Sequence, residues 1–111
     1  MGKTRLVYKT KTVTTSSGNA HAIFSSEKLV YSVAIEMHPD SSETDGWVGD
    51  DTVTTTNKNG RAFSTTVSVE FKTRWREGRG TTSNLIDAST IYVASGSGAD
   101  ILVTWLEHET A

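Results

Sequence analysis

The stretch RAFSTTVSVEFKTRW, residues 61–75, carries a period of two over a long run. Phe63, Val67, Val69, Phe71 and Trp75 fall on one side, and Ser64, Ser68, Glu70, Lys72 and Arg74 fall on the other. A period of two over so long a run is the pattern of a strand with one buried and one wet face. It excludes a helix here, because helical apolar positions recur every three to four residues. Asn59-Gly60 precedes the run, and the β-branched segment DTVTTTN precedes that. Asn-Gly is the strongest two-residue hairpin signal, since both positions of such a turn take positive φ. Residues 51–75 are therefore expected to form one long hairpin.

The same period recurs in KLVYSVAIEM, which places Leu29, Tyr31, Val33, Ile35 and Met37 inward and Ser32 and Glu36 outward, and which stops at His38-Pro39. STIYVA and ADILVTWLEH are two further short runs joined by Ser95-Gly96-Ser97-Gly98, and they read as a terminal hairpin whose glycines accept the torsions of the link. LVYKTKTVTT is β-branched and is closed by SSGNA, which suits an edge strand. No window carries a helical apolar stripe, and the abundant Thr, Ser and Val disfavour helix by restricting χ1 or competing for backbone bonds. The fold class expected is all-β, one domain spanning residues 1–111. Its architecture is a two-sheet antiparallel immunoglobulin/fibronectin-like sandwich, with a small β-barrel as the runner-up.

Composition narrows the function. The chain has no cysteine, which removes disulfides, thiolate metal sites and thiol nucleophiles together. Its formal net charge of −2 argues against phosphate-driven nucleic-acid binding, which usually needs a clearly basic surface. The opening residues lack the apolar run of a signal peptide and no segment is long and apolar enough for a membrane span. The expected location is the cytoplasm, or outside the cell after release without a classical signal, with no membrane insertion.

No Gly-x-Ser-x-Gly elbow occurs, and nothing in the sequence brings a serine to His21, His38 or His108, so no enzyme, catalytic residue or cofactor is expected. Asp40, Glu43, Asp45, Asp50 and Asp51 share one loop, but aligning Gly46 with the sixth EF-hand position puts Ser41 first and Thr52 twelfth, where carboxylates are required. No metal site is expected, and the acidic loop reads as a solvated one.

What remains is FKTRWREGRGTTSNLID, residues 71–87, where arginines crowd a tryptophan at a strand end. Trp75 either caps the core or offers its ring to a sugar, with Trp47 as a second platform and Arg76, Arg79, Asn84 and Asp87 as hydrogen-bonding partners for hydroxyl groups. The near-neutral charge favours sugar over nucleic acid.

The order Val69-x-Phe71, Trp75, Gly78-x-Gly80, Asp87, Thr90-Ile91-x-Val93 and a last strand containing Trp105 resembles the fungal immunomodulatory proteins, and EKLVYSVAI is similar to that family's Lys-x-x-Tyr-x-Val-Ala strand through Lys28, Tyr31, Val33 and Ala34. The resemblance covers roughly the last three-quarters of the chain. It implies a cysteine-free immunoglobulin-like or fibronectin-like sandwich that binds glycans and stimulates or agglutinates blood cells. The family's opening apolar helix, which mediates its dimer, and the Trp-Gly-Arg-Gly stretch that follows it have no counterpart in LVYKTKTVTTSSGNA. The leading expectation is a non-catalytic, lectin-like carbohydrate-binding module with glycans or glycoproteins as partners. The alternative is a structural or assembly protein, such as a phage or viral particle component, that forms homo-oligomers through exposed strand edges.

Overall fold

The computed structural model describes residues 4–73 and 85–110. Among the described residues ten strands run in the order β1 (Thr4–Thr14), β2 (His21–Ala22), β3 (Leu29–Val30), β4 (Ser32–Met37), β5 (Asp45–Gly49), β6 (Gly60–Ser64), β7 (Val69–Lys72), β8 (Ile86–Asp87), β9 (Tyr92–Ser95) and β10 (Asp100–Thr110), with one 3-10 turn at Ala88–Thr90. All pairings are antiparallel. They make a four-stranded sheet β1-β10-β4-β7, a second four-stranded sheet β2-β9-β5-β6, and a short β3-β8 pair. Both large sheets feed one core: Val33, Ile35 and Val103 from the first join Val48, Phe63 and Val93 from the second. The protein is all-β and sandwich-like, and its two sheets keep separate strand orders rather than closing into one barrel.

Two of the expected hairpins are rearranged. The described part of the run 61–75, residues 61–73, does not stay in one sheet, because β6 belongs to the second sheet and β7 to the first. Ser64 makes the switch: its Oγ accepts from Thr66 N–H at 3.2 Å and Val67 N–H at 3.1 Å, while its own N–H donates to the Val67 carbonyl at 2.8 Å. A serine bonded to the backbone two and three residues on closes a tight turn. Phe63 and Val69 are buried on either side of it, so the alternation survives the break, but Val67 sits on the turn and is exposed.

The partner of β6 is also not DTVTTTN. It is β5, paired from Asp45↔Ser64 to Gly49↔Gly60, and residues 50–59 form the connecting loop. That loop is organised by Asn57. Its Oδ1 accepts from Thr54 N–H and Asn59 N–H, each at 2.9 Å, and Thr54 Oγ1 accepts from Asn57 N–H at 3.0 Å. The left-handed residue is Lys58, with φ 52°, and not the Asn59-Gly60 pair.

The terminal hairpin is likewise an inter-sheet link, because β9 pairs with β2 and β5 whereas β10 pairs with β1 and β4. Gly98 has φ +83° in that link, a torsion that glycine takes without penalty. Thr15 ties the link to the end of β1: its hydroxyl donates to the Gly96 carbonyl at 2.7 Å and accepts from Ala99 N–H at 3.1 Å. In the fourth strand region, Val33, Ile35 and Met37 are inward as expected, but the phase slips at Tyr31, so Val30 is buried and Leu29 exposed. The slip follows from a local break. Tyr31 N–H donates to the Leu106 carbonyl at 2.8 Å and its carbonyl accepts from Thr73 N–H at 2.9 Å, which ends one pairing and starts another.

Candidate functional site

Trp75, Arg76, Arg79 and Asn84 lie outside the described residues. The other two sequence-derived site residues lie in different sheets, Trp47 on β5 of the second four-stranded sheet and Asp87 on β8 of the short β3-β8 pair. Asp87 ends β8 and caps the 3-10 turn, accepting from Ser89 N–H at 3.0 Å, Ser89 Oγ at 2.7 Å and Lys28 N–H at 3.2 Å. The Ser89 hydroxyl first, then the Lys28 and Ser89 backbone N–H groups, hold its carboxyl below the usual carboxylate range. All three bonds converge on Oδ1, which fixes the β3-β8 pair to the turn.

Trp47 is half-buried on the outer face of β5, since its neighbours Gly46 and Val48 are the inward residues of that strand. Its cross-strand partners are Ala62 and Ala94. Lys58 Nζ stands 5.2 Å from the ring centroid, so a cation of the 50–59 loop already lies over one face of the indole.

The acidic loop is divided among local turns. Asp50 accepts from the Thr52 hydroxyl and N–H, and these bonds, the hydroxyl first, lower its pKa. Among the described residues no three His, Asp or Glu side chains converge as a metal-binding group. One pairing that the sequence did not reveal is Ser16 Oγ at 3.2 Å from His21 Nε2. The same nitrogen accepts from Ser16 N–H at 3.2 Å, and His21 Nδ1 donates to the Asn19 carbonyl at 2.7 Å. Both ring nitrogens thus close the β1-β2 loop.

A cluster of interacting side chains lies on the inward face where β1 meets β10. Trp105 is 7% exposed and packs edge-on against Phe24, with centroids 4.9 Å apart and planes at 88°. Its indole N–H donates to Glu107 Oε1 at 3.0 Å, Lys28 Nζ donates to Oε2 at 2.9 Å, and Lys9 Nζ lies 3.5 Å from Oε1. Lys11 Nζ stands 4.3 Å over the Phe24 ring. The Lys28 hydrogen bond is the main cause that holds the Glu107 carboxyl below its ordinary 4.5; partial burial opposes it, and the Trp105 N–H and the charges of Lys28 and Lys9 assist.

A depressed carboxylate pKa stabilises the fold above the unfolded value, and that contribution is lost as pH falls through the folded value. Glu107→Gln should therefore lower stability at pH 7 by about 1 kcal/mol, the upper end for a partly exposed ion pair. Urea denaturation should show the difference from wild type shrinking below about pH 4.5, the ordinary carboxyl value. A gap that stays constant down to pH 3 would mean the carboxylate charge is not the source.

The constellation gives β1 an uncommon distribution of residues. Register places Lys9 opposite Trp105 and Lys11 opposite Val103, so the inward side of β1 carries its cations. The outward side carries Leu6, Tyr8, Thr10 and Thr12, with Leu6 53% and Tyr8 72% exposed. β1 is 11 residues long and, among the described residues, pairs only with β10. The readable signal for this in the sequence is LVYKTKTV itself, where lysines occupy the parity that valines hold on either side. Charged residues at inward parity mark an edge strand.

Comparison with protein-family models, with curated proteins and with solved structures finds no match to this chain.

Proposed function

We propose that this chain is a structural, assembly-forming protein that builds homo-oligomers through its first sheet, the kind of role played by a component of a larger particle. The observation that carries this reading is β1: an 11-residue strand at the edge of its sheet that pairs, among the described residues, with β10 alone and shows Leu6 and Tyr8 exposed on its outer face. A long edge is a template for another strand, and main-chain bonds along it supply association energy without a dedicated pocket.

The lectin-like reading stays as the second, on the strength of the outward Trp47 ring between Ala62 and Ala94. Such a ring suits stacking against the apolar face of a sugar. Lys58 competes for that ring, and Asp87 is engaged in capping, which is why the reading ranks second. The resemblance to the fungal immunomodulatory proteins belongs with this second reading.

Sedimentation velocity over a concentration series and a glycan array on the same preparation separate the two. The expected result is concentration-dependent species larger than a dimer, with no saturable glycan signal. A monomer at every concentration whose glycan binding is lost in Trp47→Ala would replace assembly with the lectin-like reading.

A further inference from the structure

We infer that β1 of one copy pairs with β7 of the next, head to tail, and not with β1 of a second copy. The inference rests on the assembly reading and specifies its interface.

The hydrogen-bond phase of each edge is fixed by one bond. Thr15 N–H donates to the Ala99 carbonyl, in register with the β1-β10 ladder. In an antiparallel pair, hydrogen-bonded and non-bonded rungs alternate. The odd residues of β1 therefore bond β10, and the even residues, Leu6 to Thr14, direct N–H and C=O to the free edge. Thr73 N–H donates to the Tyr31 carbonyl, in register with β4-β7, so the odd residues of β7 bond β4, and Glu70 and Lys72 face the other edge of the sheet, where no strand among the described residues pairs.

An added strand must match bonded residues with bonded residues, so only even-with-even registers are open to β1. For β1 against β1 this puts odd residues opposite odd, in the closer, non-bonded rungs. In each such register that overlaps more than half the strand, two basic residues then stand face to face: Lys9 with Lys9, Lys11 with Lys11, Lys9 with Lys11, or Arg5 with Lys9 or Lys11. Like charges directly opposite destabilise a sheet. The inward basic residues thus disfavour self-pairing, with the Lys9 charge partly offset by Glu107.

For β1 against β7 no register has this fault. Odd meets odd as Arg5, Lys9 or Lys11 with Val69, Phe71 or Thr73, and even meets even as the uncharged Leu6 to Thr14 set with Glu70 and Lys72. Direction also agrees. In a four-stranded antiparallel sheet the two edges run in opposite senses, so β7 of a translated copy lies antiparallel to β1. The even residues of both edges are outward residues, so the sheet continues without flipping a face. A head-to-tail contact of this kind closes into a ring or extends as a filament, and does not stop at a dimer.

The absence of native cysteine makes the test clean. Thr10→Cys marks the outer side of β1 and Glu70→Cys that of β7. With a bismaleimide linker that reaches one strand spacing, a mixture of the two variants should give a covalent dimer, and neither variant alone should. The double variant should give a ladder. Thr10→Pro removes an N–H that faces the free edge and no β1-β10 bond, so it should leave the circular dichroism spectrum intact and abolish species beyond the monomer. If Thr10→Pro does not fold, the cross-linking pattern decides alone. Cross-linking of Thr10→Cys with itself, or assembly by folded Thr10→Pro, overturns the β1-β7 interface while assembly stands. A wild-type protein that is monomeric throughout overturns both.

Discussion

Phe63→Ala is expected to destabilise the protein by about 3–5 kcal/mol in urea denaturation, which for a domain of this size is a large share of its total stability. Phe63 is 1% exposed and its ring lies under Gly46 of the neighbouring strand, where both sheets contribute to the core. Truncation removes the ring from a site bounded on one side by the Gly46 backbone, which collapses poorly into a cavity. The proximity of Gly46 supplies a sharper check. A Cβ at Gly46 would overlap Phe63 Cζ and come within 2.9 Å of both Cε atoms. Gly46→Ala should therefore be destabilising in the wild-type background and close to neutral in Phe63→Ala, where the methyl group enters the vacated space. Coupling on the order of 1–3 kcal/mol is expected for such a pair. Val67→Ala, on the exposed turn a few residues on, should cost under about 0.5 kcal/mol. Additive effects at 46 and 63 would mean that the ring does not occupy the position described.

Much of this core was legible because burial imposes a parity that the chain cannot hide. Val33, Ile35 and Met37, and Phe63 and Val69, sit on the side that alternation assigns. Alternation is silent on which sheet a residue joins. Phe63 and Val69 keep one parity across the Ser64 turn, so a strand that leaves one sheet for the other reads as a single strand. The same blindness made β9 and β10 look like a hairpin, since Gly96 to Gly98 permit a tight reversal and an inter-sheet crossing equally. LVY at 29–31 offers apolar residues at both parities, and only the break at Tyr31 decides between them.

Less of the candidate site was legible. Asp87 is a polar residue after an apolar one in sequence, and its capping role depends on Lys28, which only the β3-β8 pairing brings near. Trp47 could be recognised as an aromatic platform, but the cation above it comes from the 50–59 loop, whose β-branched DTVTTTN reads as a strand in sequence. The edge character of β1, by contrast, was readable from LVYKTKTV, because lysines at inward parity are tolerated only where the strand end of the core is open.

Gly60→Val should also destabilise strongly, by about 3 kcal/mol or more, and the route differs from the one that the Asn59-Gly60 dipeptide suggests. Gly60 is not a positive-φ residue; it opens β6 opposite Gly49. A Cβ on Gly60 would overlap the Val48 carbonyl oxygen and lie 2.8 Å from its carbon, and one on Gly49 would lie 2.7 Å from the Asn59 carbonyl oxygen. The two glycines let the strands approach where the loop begins, and the obstructing atoms are backbone, which no rotamer change can move aside. The first carbon of the side chain therefore does the damage. Gly60→Ala should produce most of the loss seen in Gly60→Val, whereas a positive-φ requirement would make the β-branched residue distinctly worse than alanine. Gly98 is the control: it has φ +83° and open space around its Cβ position. Gly98→Ala should cost only the torsional strain, about 1–2 kcal/mol. Thermal denaturation of the three variants distinguishes the mechanisms, and Gly60→Ala with wild-type stability would sink the close-approach account.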